Sequence, residues 1–181
     1  MFELKNSEEA IQSWKNAIKI KPDFAEAYNN IGNALSELKK FDQSLKNYEE
    51  AIKIKPDFAE AYNNRASAFT SINQLKPALE SCNSALKIKP HFAEAYNNKG
   101  IILVELNLLD AALESYENAI KINQDQDFLL GRLIFTKNTL CNWNHYEENI
   151  TKLKNTIKKE KKTANPWDLL SFFDLPELHQ K

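Results

Sequence analysis

Thirteen residues occur twice without change in this chain: IKIKPDFAEAYNN runs from Ile18 to Asn30 and again from Ile52 to Asn64. A third copy, Leu86 to Asn98, reads LKIKPHFAEAYNN with two changes. The copies are 34 residues apart, and Pro22, Pro56 and Pro90 keep that spacing, as do Tyr28, Tyr62 and Tyr96 and Ala17, Ala51, Ala85 and Ala119. A fixed period of this size means that each repeat is one supersecondary unit that buries its apolar face only against its neighbours, so the chain must stack. Glycine is scarce, at 3 of 181 residues against a usual share of about 7%, which leaves little material for phosphate-binding glycine loops or runs of tight turns. Helices joined by short connections follow.

Within the period, each residue type has a physical reason. Asp23 and Asp57 follow the prolines and precede Glu26 and Glu60 by three residues, which predicts capping boxes opening the first helix, A, of each repeat. The prolines mark the end of the helix before. Tyr28, Gly32 and Leu35 fall on one stripe of helix A, matched by Tyr62, Ala66 and Phe69 and by Tyr96, Gly100 and Leu103. The second helix, B, carries small residues at Ala10, Ser44, Ala78 and Ala112 and at Ala17, Ala51, Ala85 and Ala119, with Trp14, Tyr48, Cys82 and Tyr116 between them. Small residues let helices approach closely and the aromatic fills the gap. Asn73 and Asn107 sit at the A-to-B turn, where a left-handed residue is tolerable; Lys39 suits that position less well. Pro77 falls in the first turn of a helix B, where its missing N–H is harmless.

A 34-residue helix-turn-helix with small residues, an aromatic and a proline at these offsets resembles the tetratricopeptide repeat (TPR) family. The resemblance implies an all-α fold, a right-handed superhelix of antiparallel helix pairs. Expected units are a TPR array over 1–126, with a partial repeat at 1–24 whose helix B covers about 6–21, and full repeats at 25–58, 59–92 and 93–126. The array opens in mid-repeat, and Met1 to Leu4 are too few for a helix A; either they cap the stack or further repeats precede them. Gln124 stands where a proline is due, and Phe128 to Leu140 keeps apolar periodicity without the small-residue signature, so 127–163 is expected to be a degenerate capping pair. Its second helix is marked by Trp143, Tyr146, Ile150, Leu153 and Ile157, and Thr163-Ala164-Asn165-Pro166 breaks it ahead of a short helical tail, 164–181.

That tail carries a second resemblance. Leu130-Gly131, Cys141-Asn142-Trp143, Tyr146 and the segment Pro166 to Glu177 resemble the junction between TPRs and catalytic domain in SPINDLY-like and bacterial O-GlcNAc transferases, and KPDFAEAYNN resembles their repeats. The resemblance implies that 164–181 is the start of a catalytic region that this chain does not contain, so no catalytic residue carries over and the chain is not expected to be an enzyme. No cofactor is expected.

Other chemistries find little support. With 24 Lys+Arg against 25 Asp+Glu the formal charge is −1, which gives no global field for nucleic acid or an anionic membrane. The N-terminal residues contain no apolar run of signal-peptide length, and no stretch approaches the roughly 20 apolar residues that span a bilayer, so a cytoplasmic location is expected. Cys82 and Cys141 lack CxxC spacing and a nearby His, which points to two buried, reduced thiols. His91 replaces the Asp of other repeats as a surface variant, His145 and Glu148 are too few ligands for a metal site, and His179 has no identifiable partner. The lysines from Lys152 to Lys162 read as a solvated helix face.

The asparagines define the candidate site. Asn29-Asn30, Asn63-Asn64 and Asn97-Asn98 recur at one helical phase, off the apolar stripe, on the side that TPR geometry turns inward. A carboxamide both donates and accepts, so a ladder of them can pair with the backbone of an extended peptide whatever its side chains. In the O-GlcNAc transferase TPRs the sixth residue of helix A does this, and Asn30, Asn64 and Asn98 match it. With Asn33 and the second-position residues Glu26, Glu60 and Glu94 they form the expected peptide-binding set, unless the asparagines persist only as copies of one ancestral repeat. Chaperone-binding TPRs clamp an acidic tail with Lys or Arg at groove positions that here hold Glu and Asn. Arg65 and Lys99 are the inward-phase cations, at positions usually apolar. The expected function is a protein-interaction module holding extended peptides; the alternative is the substrate-recognition arm of an O-GlcNAc-transferase-like enzyme. Partners are expected to be proteins or peptides, with no nucleic acid, membrane or metal.

Overall fold

The computed structural model describes residues 2–123, 129–141, 147–148 and 150–151, with side chains from Ser7 onward. Its helices are α1 (Phe2–Ile20), α2 (Ala25–Glu37), α3 (Phe41–Ile54), α4 (Ala59–Ser71), α5 (Leu75–Ile88), α6 (Ala93–Glu105), α7 (Leu109–Ile122) and α8 (Leu129–Thr139). There is no strand among the described residues. The pairs α2/α3, α4/α5 and α6/α7 pack most extensively, and each B helix then meets the A helix of the next repeat, giving an all-α solenoid. Of the expected C-terminal stripe Ile150 is described and buried, whereas Trp143, Tyr146, Leu153 and Ile157, with everything from 152 on, lie outside the described residues. No described helix is long and apolar enough to cross a membrane.

The prolines end the B helices as expected, because the residue before a proline is driven out of the helical region. Lys55 and Lys89 accordingly stand at φ −129 and −127. The capping boxes are not there. The N-cap residues are Phe24, Phe58 and Phe92, none with a side-chain cap bond, so Asp23 and Asp57 lie one residue too early. The Pro-Asp turn delays the helix start, and the Phe24 carbonyl accepts the N–H groups of Ala27 and Tyr28. At the A-to-B turns Lys39, Asn73 and Asn107 all adopt the left-handed conformation, at φ 57, 59 and 58. Lysine is strained there, but the Lys40, Gln74 and Leu108 N–H groups bond back to Leu35, Phe69 and Leu103 at 2.8 to 2.9 Å, a Schellman closure that fixes the turn whatever residue occupies it.

Spacing between helices A and B is set by a small residue meeting a ring. A Cβ added to Gly32 would lie 2.5 Å from Tyr48 Cε1, and one on Gly100 would lie 2.4 Å from Tyr116 Cε1. The middle repeat has made both changes together: Ala66 faces Cys82, and the two pack in one buried cluster with Ala78 and Ile102. Ser44 Oγ donates to the Gly32 carbonyl at 2.8 Å, which closes the same contact with a hydrogen bond. Ala51, Ala85 and Ala119 are fully buried where successive helices cross, Ala51 against Ala25 and Ala61. The core is therefore a chain of small clusters, each spanning neighbouring helices.

This coupling predicts the outcome of a double-mutant cycle. Gly100→Ala should destabilise by about 1–3 kcal/mol despite the better helix propensity of alanine, since the new methyl overpacks against Tyr116. Gly100→Ala with Tyr116→Cys recreates the pairing of the middle repeat and should cost at least ~1 kcal/mol less than the two single changes added. Denaturant unfolding of the four proteins checks it; strict additivity would refute the contact.

Candidate binding surface

Helices A of successive repeats touch, α2 on α4 and α4 on α6, and no comparable contact joins α3 to α5 or α5 to α7. The stack is therefore tighter on its A side, and that side is the inner face. Its inward positions change along the array, from Asn33, Ser36 and Glu37 through Ser67, Thr70 and Ser71 to Ile101, Val104 and Glu105.

The asparagines pair with one another across this seam. Asn64 Nδ2 donates to Asn29 Oδ1 at 3.1 Å, and Asn98 Nδ2 donates to Asn63 Oδ1 at 2.9 Å and to Ser67 Oγ at 3.1 Å. One period beyond Asn98, Arg132 on α8 continues the series, its Nη1 donating to Asn97 Oδ1 at 2.9 Å. Asn64, Asn98 and Arg132, one period apart, thus each donate to the fifth residue of the helix A before their own. Asn29 and Asn63 are 6% and 7% exposed, so they are part of the packed seam although they lie off the apolar stripe. Asn33 instead accepts from the Tyr48 hydroxyl at 2.8 Å. These bonds leave the Oδ1 of Asn64 and Asn98 and one N–H of Asn64 without a partner in the seam, and Asn30, Asn64, Asn97 and Asn98 are all part-exposed. Arg132 was missed by pattern reading of the sequence, because α8 lacks the small-residue signature; counting one period past Asn98 would have found it.

The described residues enclose at least two cavities. One of about 250 Å³ is lined by Ile101, Val104, Glu105, Tyr116, Arg132, Phe135 and Thr136. The other, about 370 Å³, lies between α1 and α2 against Ala10, Trp14, Asn30, Asn33 and Glu37.

The predicted glutamates serve the repeat junctions. Glu26 pairs with Lys55 at 3.1 Å and Glu60 with Lys89 at 2.9 Å, each lysine also lying over the following Phe58 or Phe92 ring at 4.7 and 4.5 Å. A backbone hydrogen bond, then Lys55, holds the Glu26 carboxyl below its ordinary range; for Glu60 the Lys89 bond dominates. Asn123 stands where Glu94 would find its lysine. Arg65 lies between the rings of Tyr62 and Phe69, at 5.2 and 5.9 Å, and its Nε donates to Ser81 Oγ at 3.1 Å. Burial pushes the Cys82 thiol up to about 12, with nearby Lys99 opposing, and so keeps it an inert thiol at neutral pH. Burial likewise raises Tyr116 to about 12, with Arg132 opposing and Glu105 adding. Cys141 is exposed at a left-handed turn, contrary to the expectation that both thiols are buried. His91 is exposed at a turn, and among the described residues no group of acidic, His and Cys side chains could hold a metal ion. His145 and His179 lie outside the described residues.

Family models described as tetratricopeptide repeat match residues 25–58, 59–92 and 93–126, and one described as TPR repeat matches 1–39. A search of curated proteins returned no match. Among solved structures, MamA superposes with a TM-score of 0.76 at 18% identity, over 86% of this chain and 91% of its own. YrrB, described as a TPR protein with an unusual peptide-binding site, gives 0.67 at 20%, covering 78% of this chain and 71% of its own. The first TPR of Spaghetti (RPAP3) bound to the HSP90 peptide SRMEEVD gives 0.63 at 22%, covering 65% and 93%.

The seam geometry separates adjacent asparagines by effect. Asn29→Ala strands the Asn64 donor in a half-buried seam and should lower stability by about 0.5–1.5 kcal/mol. Asn30→Ala, one residue on, removes no such bond and should change stability by less than ~0.5 kcal/mol. Unfolding midpoints of the two variants decide the matter, and equal losses would show that the amide bonds contribute nothing specific.

Proposed function

Because the chain belongs to the tetratricopeptide repeat family, we propose that it is a protein-interaction module whose inner face holds an extended peptide segment. The carrying observation is the amide seam. Bonds between repeats fix the orientation of Asn64 and Asn98, so their remaining acceptors, and one Asn64 donor, are preorganised for the main chain of a ligand. The cavity at Ile101, Val104 and Phe135 supplies an apolar anchor at one end of that row. That YrrB and Spaghetti are peptide-binding TPR structures supports the reading.

The charge pattern argues for a neutral ligand. Lys55 and Lys89 are matched by Glu26 and Glu60, and Arg65 is held between two rings. Among the described residues Lys99, near Cys82, is left as a single inward-phase cation, so an acidic peptide such as SRMEEVD finds no row of them along the middle of the inner face. The second reading, the substrate-recognition arm of an O-GlcNAc-transferase-like enzyme, is supported by the tail sequence around Leu130-Gly131 and Cys141-Asn142-Trp143 and would use the same surface.

Capture from a peptide library tests the proposal. Val104→Glu in the apolar cavity should reduce capture at least about tenfold, and Asn64→Ala about three- to thirtyfold. Glu49→Lys, on an outer B helix, should leave it unchanged. Peptides N-methylated on the backbone should be lost from the captured set, and acidic-tailed peptides should not be enriched. Equal capture by wild type and Val104→Glu would move the binding surface elsewhere.

A further inference from the structure

One phenol occurs in two different settings, two repeats apart. The rings of Tyr48 and Tyr116 both lie on a glycine of helix A, where a Cβ would meet Cε1 at 2.5 Å on Gly32 and 2.4 Å on Gly100, so their hydroxyls are carried to equivalent places. Around Tyr48 that place is polar. Its hydroxyl donates to Asn33 Oδ1 at 2.8 Å, and the Ser44 and Ser36 hydroxyls hold its pKa down against burial. Two repeats on, Ile101 stands where Asn33 does, Val104 where Ser36 does and Ala112 where Ser44 does. All three polar neighbours have become apolar while the hydroxyl stays. Tyr116 is only 2% exposed, and among the described residues its hydroxyl makes no hydrogen bond.

A buried polar group in that state calls for a partner. Tyr116 lines the cavity of about 250 Å³ between α6, α7 and α8, and so do Ile101 and Val104, the residues that replace two of its polar neighbours. The hydroxyl is thereby set on the cavity wall. At roughly 30 Å³ per water molecule the space has room for a polar side chain. Arg132, on the same lining, brings a second donor: its Nη1 bonds Asn97 Oδ1 at 2.9 Å, which orients the guanidinium and leaves its other N–H groups for a further acceptor. Glu105 stands exposed on the lining and makes no ion pair among the described residues. Two donors, one acceptor and apolar walls therefore surround one space.

We propose that this cavity is a specificity pocket for a side-chain carboxamide, that of a glutamine or asparagine in the peptide held on the inner face. The carbonyl oxygen takes the place that Asn33 Oδ1 holds against Tyr48, accepting from the Tyr116 hydroxyl and from Arg132. The NH2 group donates to Glu105, and the methylenes lie against Ile101 and Val104. A carboxylate keeps the two donors but meets Glu105 with no proton to give. An apolar side chain leaves the Tyr116 hydroxyl unsatisfied. The inference rests on the reading of the inner face as a peptide-holding surface and adds which side chain that peptide carries.

The first measurement needs no ligand. Tyr48→Phe should lower the unfolding midpoint, because it breaks the bond to Asn33, whereas Tyr116→Phe should leave the midpoint unchanged or raise it. Equal losses would mean that the chain itself already satisfies the Tyr116 hydroxyl, which overturns the proposal. For the ligand, the full chain is screened against a neutral peptide library with one position varied among glutamine, asparagine, methionine and glutamate. Carboxamide peptides should bind about three- to tenfold more tightly than their methionine counterparts, and glutamate no better than methionine. Tyr116→Phe should level that preference. Ile101→Asn, with helical circular dichroism intact, should do the same, since it restores the Asn33 pairing and fills the pocket from within. Capture without a carboxamide preference, a preference that survives either substitution, or tightest binding by glutamate overturns the proposal and leaves the peptide groove standing. Failure of the wild-type chain to capture any peptide removes both.

Discussion

The contact between a side-chain-poor position on helix A and the ring on helix B controls this structure. With Gly32 under Tyr48 and Gly100 under Tyr116, the two helices lie so close that even a methyl group would collide. Such a contact fixes both the separation of the helices and their rotation. Every other inter-helix feature inherits that phase: the alanines at the crossings, the left-handed turn at Lys39, Asn73 and Asn107, and the lysine that lies over the next phenylalanine while reaching back to the previous glutamate. The middle repeat shows that the constraint is on the pair, because Ala66 occurs where the ring is replaced by Cys82.

That phase also decides what the inner face can do. Close approach of the A helices brings the fifth and sixth residues of neighbouring repeats within hydrogen-bond distance, and amides at both positions satisfy each other there. An inward polar residue in a solenoid answers to its neighbours first, since a donor left half-buried costs more than one exposed bond returns. Binding then uses what the seam leaves over. The leftover groups are held in place by the bonds already made, so a ligand meets a rigid array whose orientation entropy is already spent.

The sequence made the fold legible, and the reason is physical: thirteen identical residues at a fixed spacing admit only one local structure repeated in register. The helix pairs, the proline stops and the buried small residues could all be read that way. Three details could not. Asp23 and Asp57 look like caps, yet a single turn residue puts Phe24 and Phe58 at the N-cap. Asn29 and Asn63 look like groove residues because helical phase places them off the apolar stripe; their burial comes from the next repeat, which one helix's periodicity does not contain. Arg132 lies in a helix whose stripe has drifted, so its role shows only through the period. The candidate site was therefore legible as a row of positions, and its division between stack and ligand required the packing of neighbours.

On this structure the inner asparagines hold the repeats together before any ligand arrives. Side-chain carboxamide hydrogen exchange, followed by NMR on the ligand-free chain with the asparagine amides assigned, examines it directly. The Nδ2 hydrogens of Asn98, which bond both Asn63 and Ser67, should exchange most slowly, those of Asn64 next, and those of Asn30 at the rate of a solvated amide. Equal and fast exchange at all three positions would mean that the amide seam does not form, and that the asparagines stand free along the inner face.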